Sequence, residues 1–136
     1  MEPAGIYIHI PFCQRKCTYC NFNTTDFEGE AVPAYVKAVS KEIKHWAGLI
    51  NQNGAGEAGT VVDSIYFGGG TPSIIDAKHI QSLIEACRFS FQVRDNVEIT
   101  IEINPGSFAR SKLDCWRNAG VNRASVGVQS FIDREV

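Results

Sequence analysis

The sequence predicts an α/β protein, a parallel (βα)n partial TIM-type barrel of which about four strands are present. Three observations favour it: apolar, β-branched runs alternate with helical patterns, the units repeat about every 30 residues, and several strands carry polar side chains on one face only. Parallel strands joined by crossover helices require this spacing. Right-handed connections then place the strands in one sheet.

Composition excludes several classes. The chain has 136 residues, a net charge of −2, 44% hydrophobic and 21% charged residues, which is ordinary for a globular domain and not for a disordered or collagen-like chain. It has no basic run that would predict nucleic-acid binding and no apolar stretch long enough to cross a membrane. Its first residues lack the pattern of a signal or transit peptide, so we expect neither. Five cysteines, an odd number, argue against a disulfide framework, so we expect a reducing cytoplasmic setting.

The first unit begins with a predicted strand at 4–10, which Pro11 ends, and a polar, cysteine-rich loop follows to about Glu30. A helix over 32–50 places five apolar residues on one stripe. These are Val36, Val39, Ile43, Trp46 and Ile50.

The second unit has a strand at 60–67 that stops at Gly68–Gly70, and Asp76 is the expected N-cap of a helix over 77–89. The third has a strand at 97–103, closed by Asn104-Pro105-Gly106, and a helix at about 109–118. A fourth strand is predicted at 123–129.

Polar residues recur on one face of these strands. The third predicted strand sets Glu98, Thr100 and Glu102 against three isoleucines. Polar stripes that face a common interior suggest a barrel whose lumen holds a polar ligand; the alternative is an uncovered face in contact with solvent. Barrel enzymes place their sites at the carboxyl ends of strands. The polar residues nearest those ends are His9, Glu102, Asn104 and Gln129.

Three cysteines, Cys13, Cys17 and Cys20, follow the first strand with the spacing C-x3-C-x2-C. Three thiolates in a tight loop can hold a soft metal centre, and in a cubane cluster, which usually takes four cysteines, they would leave one iron open. The alternative is a zinc site completed by His9 or a distant ligand. Cys87 and Cys115 lie on predicted helices, and we expect both to be core thiols.

This cysteine motif, with Tyr19 before its last cysteine, resembles the cluster motif of the radical S-adenosylmethionine (SAM) superfamily. Four blocks on the predicted strands resemble one branch of it, the oxygen-independent coproporphyrinogen III oxidases and the similar heme chaperones. The resemblance implies a [4Fe–4S] cluster held by Cys13, Cys17 and Cys20, with SAM on the fourth iron. The blocks are Tyr7–Cys13, Tyr66–Ser73, Glu98–Gly106 and Asn122–Phe131.

The glycine run Gly68–Gly70 would let the backbone approach a ligand without Cβ obstruction. It is neither a G-x-G-x-x-G fingerprint nor a Walker loop, and by itself it is equally a tight turn. The resemblance implies that Gly69, Gly70 and Thr71 bind the amino-acid end of SAM.

Four further SAM contacts follow from the same resemblance. Glu102 would accept hydrogen bonds from the ribose, Tyr19 would pack against adenine, and Tyr7 and Gln129 would line the site. No catalytic side chain is assigned.

Two residues of the blocks have open roles. His9 is either a hydrogen-bonded core residue or a ligand, and Arg123 either pairs with a propionate or neutralises a neighbouring carboxylate.

Two functions follow from the resemblance. The oxidases cleave SAM reductively, with an electron donor, to a 5′-deoxyadenosyl radical that leads to decarboxylation of a propionate in porphyrin biosynthesis. The chaperones keep the cluster and SAM site but bind heme and deliver it to acceptor proteins. The oxidases have a further cysteine two residues after the third, where this chain has Phe22, and they have an N-terminal extension before strand one. We therefore expect a heme chaperone without decarboxylase activity; the alternatives are the oxidase and a zinc-bound scaffold.

The family pattern continues beyond four units. We expect residues 1–136 to be the N-terminal part of a core barrel, with the remaining strands and a C-terminal domain absent, as in a truncated gene product, fragment or excerpt.

Overall fold

The fold is given by a computed structural model that describes residues 2–13, 25–26, 30–53, 59–105 and 110–127. The described elements follow one another as strand–helix units. In chain order they are β1 (Ala4–Ile10), β2 (Phe12–Cys13), β3 (Thr25–Asp26), α1 (Ala31–Asn53), β4 (Val61–Gly69), a 3-10 turn (Pro72–Ile74), α2 (Ala77–Ser90), β5 (Gln92–Ile103), α3 (Arg110–Ala119) and β6 (Arg123–Val126).

Four strands form one parallel sheet in the order β1-β4-β5-β6, and β2 and β3 form a separate two-stranded parallel pair. The predicted α/β class and the four parallel strands are thus confirmed. The register pairs His9 with Gly68 and Tyr66 with Thr100, so that the carboxyl ends of β1, β4 and β5 meet at one edge. Side chains distant in sequence converge there.

One face of the sheet packs against the three helices. Isoleucines of the strands and apolar residues of all three helices form a single buried cluster, which sets the orientation of every strand. Its fully buried members are Ile10, Val62, Ile65, Phe67, Ile75, Ile80, Leu83, Cys87, Ile99 and Ile101.

The opposite face carries the polar stripe that the sequence predicts. Tyr7 of β1 stacks beside Tyr66 of β4, and Tyr66 bonds to Glu102 of β5, so the three residues share this face. Tyr7 is 58% exposed and Glu102 is half-buried, because no helix of the described chain packs over them. In the described residues the stripe is therefore an uncovered face of an open sheet.

Strand boundaries differ from the prediction in three strands. β6 ends at Val126 rather than at 129, and residues 128–129 lie outside the described ranges. β4 continues through Gly68 to Gly69, because both glycines still pair with β1. β5 begins at Gln92 rather than 97, because Gln92 pairs with Val61 before the register shifts. Residues 94–96 are typical of a turn, so the sequence does not indicate that the strand begins at Gln92.

Helix ends and faces are largely as expected. Asp76 caps α2 by accepting a hydrogen bond from the Lys78 amide at 3.0 Å, as predicted. The predicted stripe of α1 is wrong at Trp46 and Ile50, which are 52% and 42% exposed. The helix instead buries Ala47, which lies about 100° from Trp46 around the helix axis.

Candidate functional site

The glycine run that ends β4 is fastened to the end of β1. The amide of Gly70 donates to the carbonyl of Ile10, and the amide of Thr71 donates to the carbonyl of Phe12, each at 2.8 Å. A Cβ on Gly70 would lie 2.6 Å from the Phe12 oxygen and 2.8 Å from Cys13 Sγ. Only glycine permits this approach, so the run is more than a tight turn.

Cys13 lies at the point where these two segments meet. Its side chain is 7% exposed, and the Thr71 hydroxyl donates a hydrogen bond to Cys13 Sγ at 3.8 Å. The first cysteine of the motif is therefore next to the glycine run. Cys17, Cys20, Tyr19 and Gln129 lie outside the described residues.

A thiol beside closely packed backbone fits the first ligand of a soft metal centre. Backbone groups approach Cys13 Sγ because Gly70 has no side chain, and Thr71 directs its hydroxyl toward the sulfur. Within the described ranges no three His, Cys, Asp or Glu side chains form a metal-binding group. Two of the three predicted ligands are outside those ranges.

A second cluster of polar side chains lies farther onto the uncovered face. The Tyr66 hydroxyl donates to Glu102 Oε1 at 2.9 Å, and the Tyr7 and Tyr66 rings stack with centroids 6.0 Å apart. A Cβ on Gly68 would lie 2.9 Å from Glu102 Oε1 and 3.0 Å from the Tyr7 ring. The structure thus brings Tyr7, Glu102 and the glycine run together at one edge of the sheet.

The tyrosines of this cluster are held neutral. Although Tyr7 is mostly exposed, partial burial raises its pKa, and the Glu102 carboxylate adds to the rise. Burial also raises the pKa of Tyr66, opposed by a hydrogen bond with Ser125 and reinforced by the bond to Glu102. Both phenols therefore remain hydrogen-bond donors at neutral pH, and Glu102 keeps a second oxygen for a ligand.

His9 belongs to a hydrogen-bonded network. Its Nδ1 and the Tyr7 hydroxyl are 3.1 Å apart, and its carbonyl accepts a hydrogen bond from the Tyr35 hydroxyl. Its ring also fills the space beside Gly69, whose φ of +114° only glycine adopts readily. The hydrogen bonds expected for one of its two roles are thus present, and the role of His9 as a ligand stays a prediction.

Arg123 contacts a neighbouring carboxylate. Its Nη1 lies 3.6 Å from Glu98 Oε1 and 3.4 Å from Thr100 Oγ1. Both charged side chains are more than half exposed, so the pair contributes little to stability. Here Arg123 neutralises a carboxylate of the same sheet face.

The two cysteines outside the motif differ from each other. Cys87 is fully buried, and this burial raises its pKa to about 12, so the prediction of a core thiol is confirmed. The same prediction is wrong for Cys115, which is exposed. Helix α3 buries Trp116 and Ala119 instead, and Cys115 lies about 100° from Trp116 around the helix.

Sequence reasoning missed two residues that hold this edge of the sheet, Tyr35 and Lys112, and a third, Asn122, that holds the start of β6. Tyr35 of α1 bonds to His9 and packs edge-on against Phe12 at 5.4 Å. Lys112 of α3 bonds to the carbonyl of Ser73, and Asn122 bonds to two backbone groups of β5. Each contact joins two elements that are distant in the sequence, so no local sequence pattern predicts it.

Comparison with known proteins identifies one family. The sequence-family model of the radical SAM superfamily matches residues 7–135. The chain is 36% identical over its full length to the heme chaperone HemW of Escherichia coli K12, of which it covers 34%. It is also 36% identical over 129 residues to an oxygen-independent coproporphyrinogen III oxidase of Bradyrhizobium diazoefficiens, covering 27% of it.

A solved structure shows the same fold. The coproporphyrinogen III oxidase HemN of Escherichia coli, described as a radical SAM enzyme, matches 97% of this chain with a TM-score of 0.81 and 34% identity. The chain covers 29% of that structure and spans about a third of the length of the curated relatives it matches. None of the helices that the structure describes is both long and apolar enough to span a membrane.

Proposed function

Because the chain belongs to the radical SAM superfamily, we propose that it holds a [4Fe–4S] cluster through Cys13, Cys17 and Cys20 and binds SAM beside it. The observation that carries this proposal is the contact of Gly70 and Thr71 with Cys13. The family implies both groups, and the described residues fit them. Bound here, the cluster would supply an electron to SAM.

The cysteine loop provides the metal ligands. Thr71 orients Cys13 Sγ, and the Gly70 backbone packs against it, so these two residues fix the position of the sulfur. The amide of Thr71 is bonded to the Phe12 carbonyl, and its hydroxyl is the group that Thr71 directs to the sulfur. Three thiolates leave one iron of a cubane open.

The second cluster of polar side chains provides contacts for SAM. Glu102, with one oxygen bonded to Tyr66, offers its other oxygen to ribose hydroxyls. Tyr7 presents an exposed ring beside it, and Gly69 and Gly70 leave room for the amino-acid end. Tyr19 and Gln129 complete the set in this proposal.

We further propose a heme chaperone that binds heme and transfers it to acceptor proteins. The supporting observation is Phe22, which occupies the position of the additional cysteine of the oxidases. The second candidate is the oxidase itself, favoured by the structural match to HemN and by an identity equal to that of the chaperones. An electron donor is needed wherever SAM is cleaved.

The two candidates are distinguished after anaerobic reconstitution of the cluster. The protein is titrated with heme and, separately, incubated with coproporphyrinogen III, SAM and a reductant, with the Escherichia coli oxidase as the positive control. A Soret band without decarboxylation supports the chaperone. Formation of protoporphyrinogen would reject it in favour of the oxidase.

A further inference from the structure

Helix α3 reaches the turn that follows the glycine run. Lys112 Nζ donates a hydrogen bond to the carbonyl oxygen of Ser73 at 3.0 Å, across 39 residues of sequence. Ser73 is buried in the 3-10 turn, two residues after Thr71. An ammonium group of a helix is thus bonded to the segment that contacts Cys13.

A second contact, with the ring of Trp116, also fixes the position of the Lys112 side chain. Its Nζ lies 6.0 Å from the ring centroid of Trp116, one helical turn away, and the Trp116 side chain is buried in the core. Lys112 itself is half-buried. A cation over an indole face is stabilised, and a charged donor makes a stronger hydrogen bond than a neutral one.

The turn has few other polar anchors. Within it, the Ile74 amide bonds to the Thr71 carbonyl at 3.1 Å, and the buried Ser73 hydroxyl has no partner among the described residues. On its far side the segment is fixed to β1 and β2 by the Gly70 and Thr71 amides. Besides the apolar packing of Ile75 in the core, the Ser73 carbonyl is where a polar side chain of α3 holds this segment.

We infer that Lys112 is a positioning residue that holds the Gly70–Thr71 backbone against Cys13. It acts through Ser73 and does not touch the metal ligand itself. The value of this contact for a cluster rests on the proposed function, but the contact can be tested in protein that carries no metal. Loss of the ammonium group should free the turn and uncover the Cys13 thiol.

The test is the alkylation rate of each cysteine in the metal-free chain, measured with iodoacetamide and peptide mass spectrometry. In Lys112→Met we expect Cys13 to react roughly tenfold faster. The loss of one charged hydrogen bond lowers the free energy of local opening, so the thiol is accessible more often. Cys87, fully buried in α2, reports global unfolding, and exposed Cys115 reports reagent reactivity. Lys41→Met, at an exposed position of α1, is the matched control.

Lys112→Arg should restore slow alkylation of Cys13, because a guanidinium group can also donate to the Ser73 carbonyl. An unchanged Cys13 rate in Lys112→Met would overturn the inference. A parallel rise at Cys87 would overturn it too, since Lys112 would then support the whole fold. Failure of the chain to bind a cluster would leave these rates unaffected and would count against the proposed function alone.

Discussion

Thr71 Oγ1 lies 3.8 Å from Cys13 Sγ, although 58 residues separate the two in the sequence. The contact exists because β1 and β4 are neighbours in the sheet and both end at the same edge. The segment that follows β4 bonds to Phe12 of β2 through the Thr71 amide. Because Gly70 has no side chain, this segment can lie close to Cys13 Sγ. The residue proposed as the first metal ligand and the loop proposed to bind SAM are thereby in direct contact.

Gly70→Ala should lower stability by about 1–3 kcal/mol, because the added Cβ would meet the Phe12 carbonyl at 2.6 Å and must displace the loop. It should also reduce the iron content after reconstitution. The matched control is Gly48→Ala in α1, where a Cβ meets nothing within 4 Å. That change should stabilise the helix by roughly 0.5–1 kcal/mol. Urea denaturation measures both, and equal effects of the two substitutions would contradict the role given to Gly70.

Glu102→Gln should weaken SAM binding by roughly tenfold or more, because it replaces a charged acceptor with a neutral one. Isothermal titration of the reconstituted protein with SAM measures the change. Glu98→Gln is the control, since Glu98 lies on the same strand but pairs with Arg123. Iron content should be unchanged in both variants. Equal affinities for SAM in the two would show that Glu102 does not bind the ligand.

Stability should fall as the pH rises above 9. Burial raises the pKa of Cys87 from 9.0 to about 12, so above pH 9 the unfolded chain loses this proton while the folded chain keeps it. The unfolded state is then favoured, by roughly 1.4 kcal/mol at pH 10 from this group alone. Urea midpoints at pH 8 and pH 10 should differ less in Cys87→Ala than in the unaltered chain. Cys115→Ala, at an exposed site, should keep the original difference.

Asn122→Ala should destabilise the fold by roughly 1–3 kcal/mol, through two lost hydrogen bonds. The side chain accepts from the Ile99 amide and donates to the Val97 carbonyl, both at 2.8 Å, and so joins the entry of β6 to β5. Asn96→Ala, at an exposed position of β5, is the control and should have little effect. Thermal unfolding compares them, and equal melting temperatures would show that these bonds contribute nothing.

Much of the fold is visible in local sequence patterns. Alternation of Ile99, Ile101 and Ile103 with polar residues predicts β5 and its two faces, and Asp76 predicts the start of α2. Such features depend on a side chain and its near neighbours in the chain. Their periodicity is therefore preserved whatever the rest of the protein does.

Other features depend on packing between elements. The sequence predicts that Trp46 and Cys115 are buried, but both are exposed. Each is adjacent in sequence to a buried residue of its helix, and successive residues point about 100° apart around a helix axis. Tyr35 and Lys112 hold the candidate site from helices distant in sequence. Such contacts are decided only when the sheet order and helix positions are known.

The most direct test of the central claim is the visible absorbance of the chain after anaerobic reconstitution with iron and sulfide. The unaltered chain, Cys87→Ala and Cys115→Ala should show the charge-transfer bands of a [4Fe–4S] cluster, because neither of these cysteines belongs to the motif. Cys13→Ala should lose those bands, since it removes one of three thiolate ligands. Absence of the bands from the unaltered chain, or their persistence in Cys13→Ala, would contradict the account.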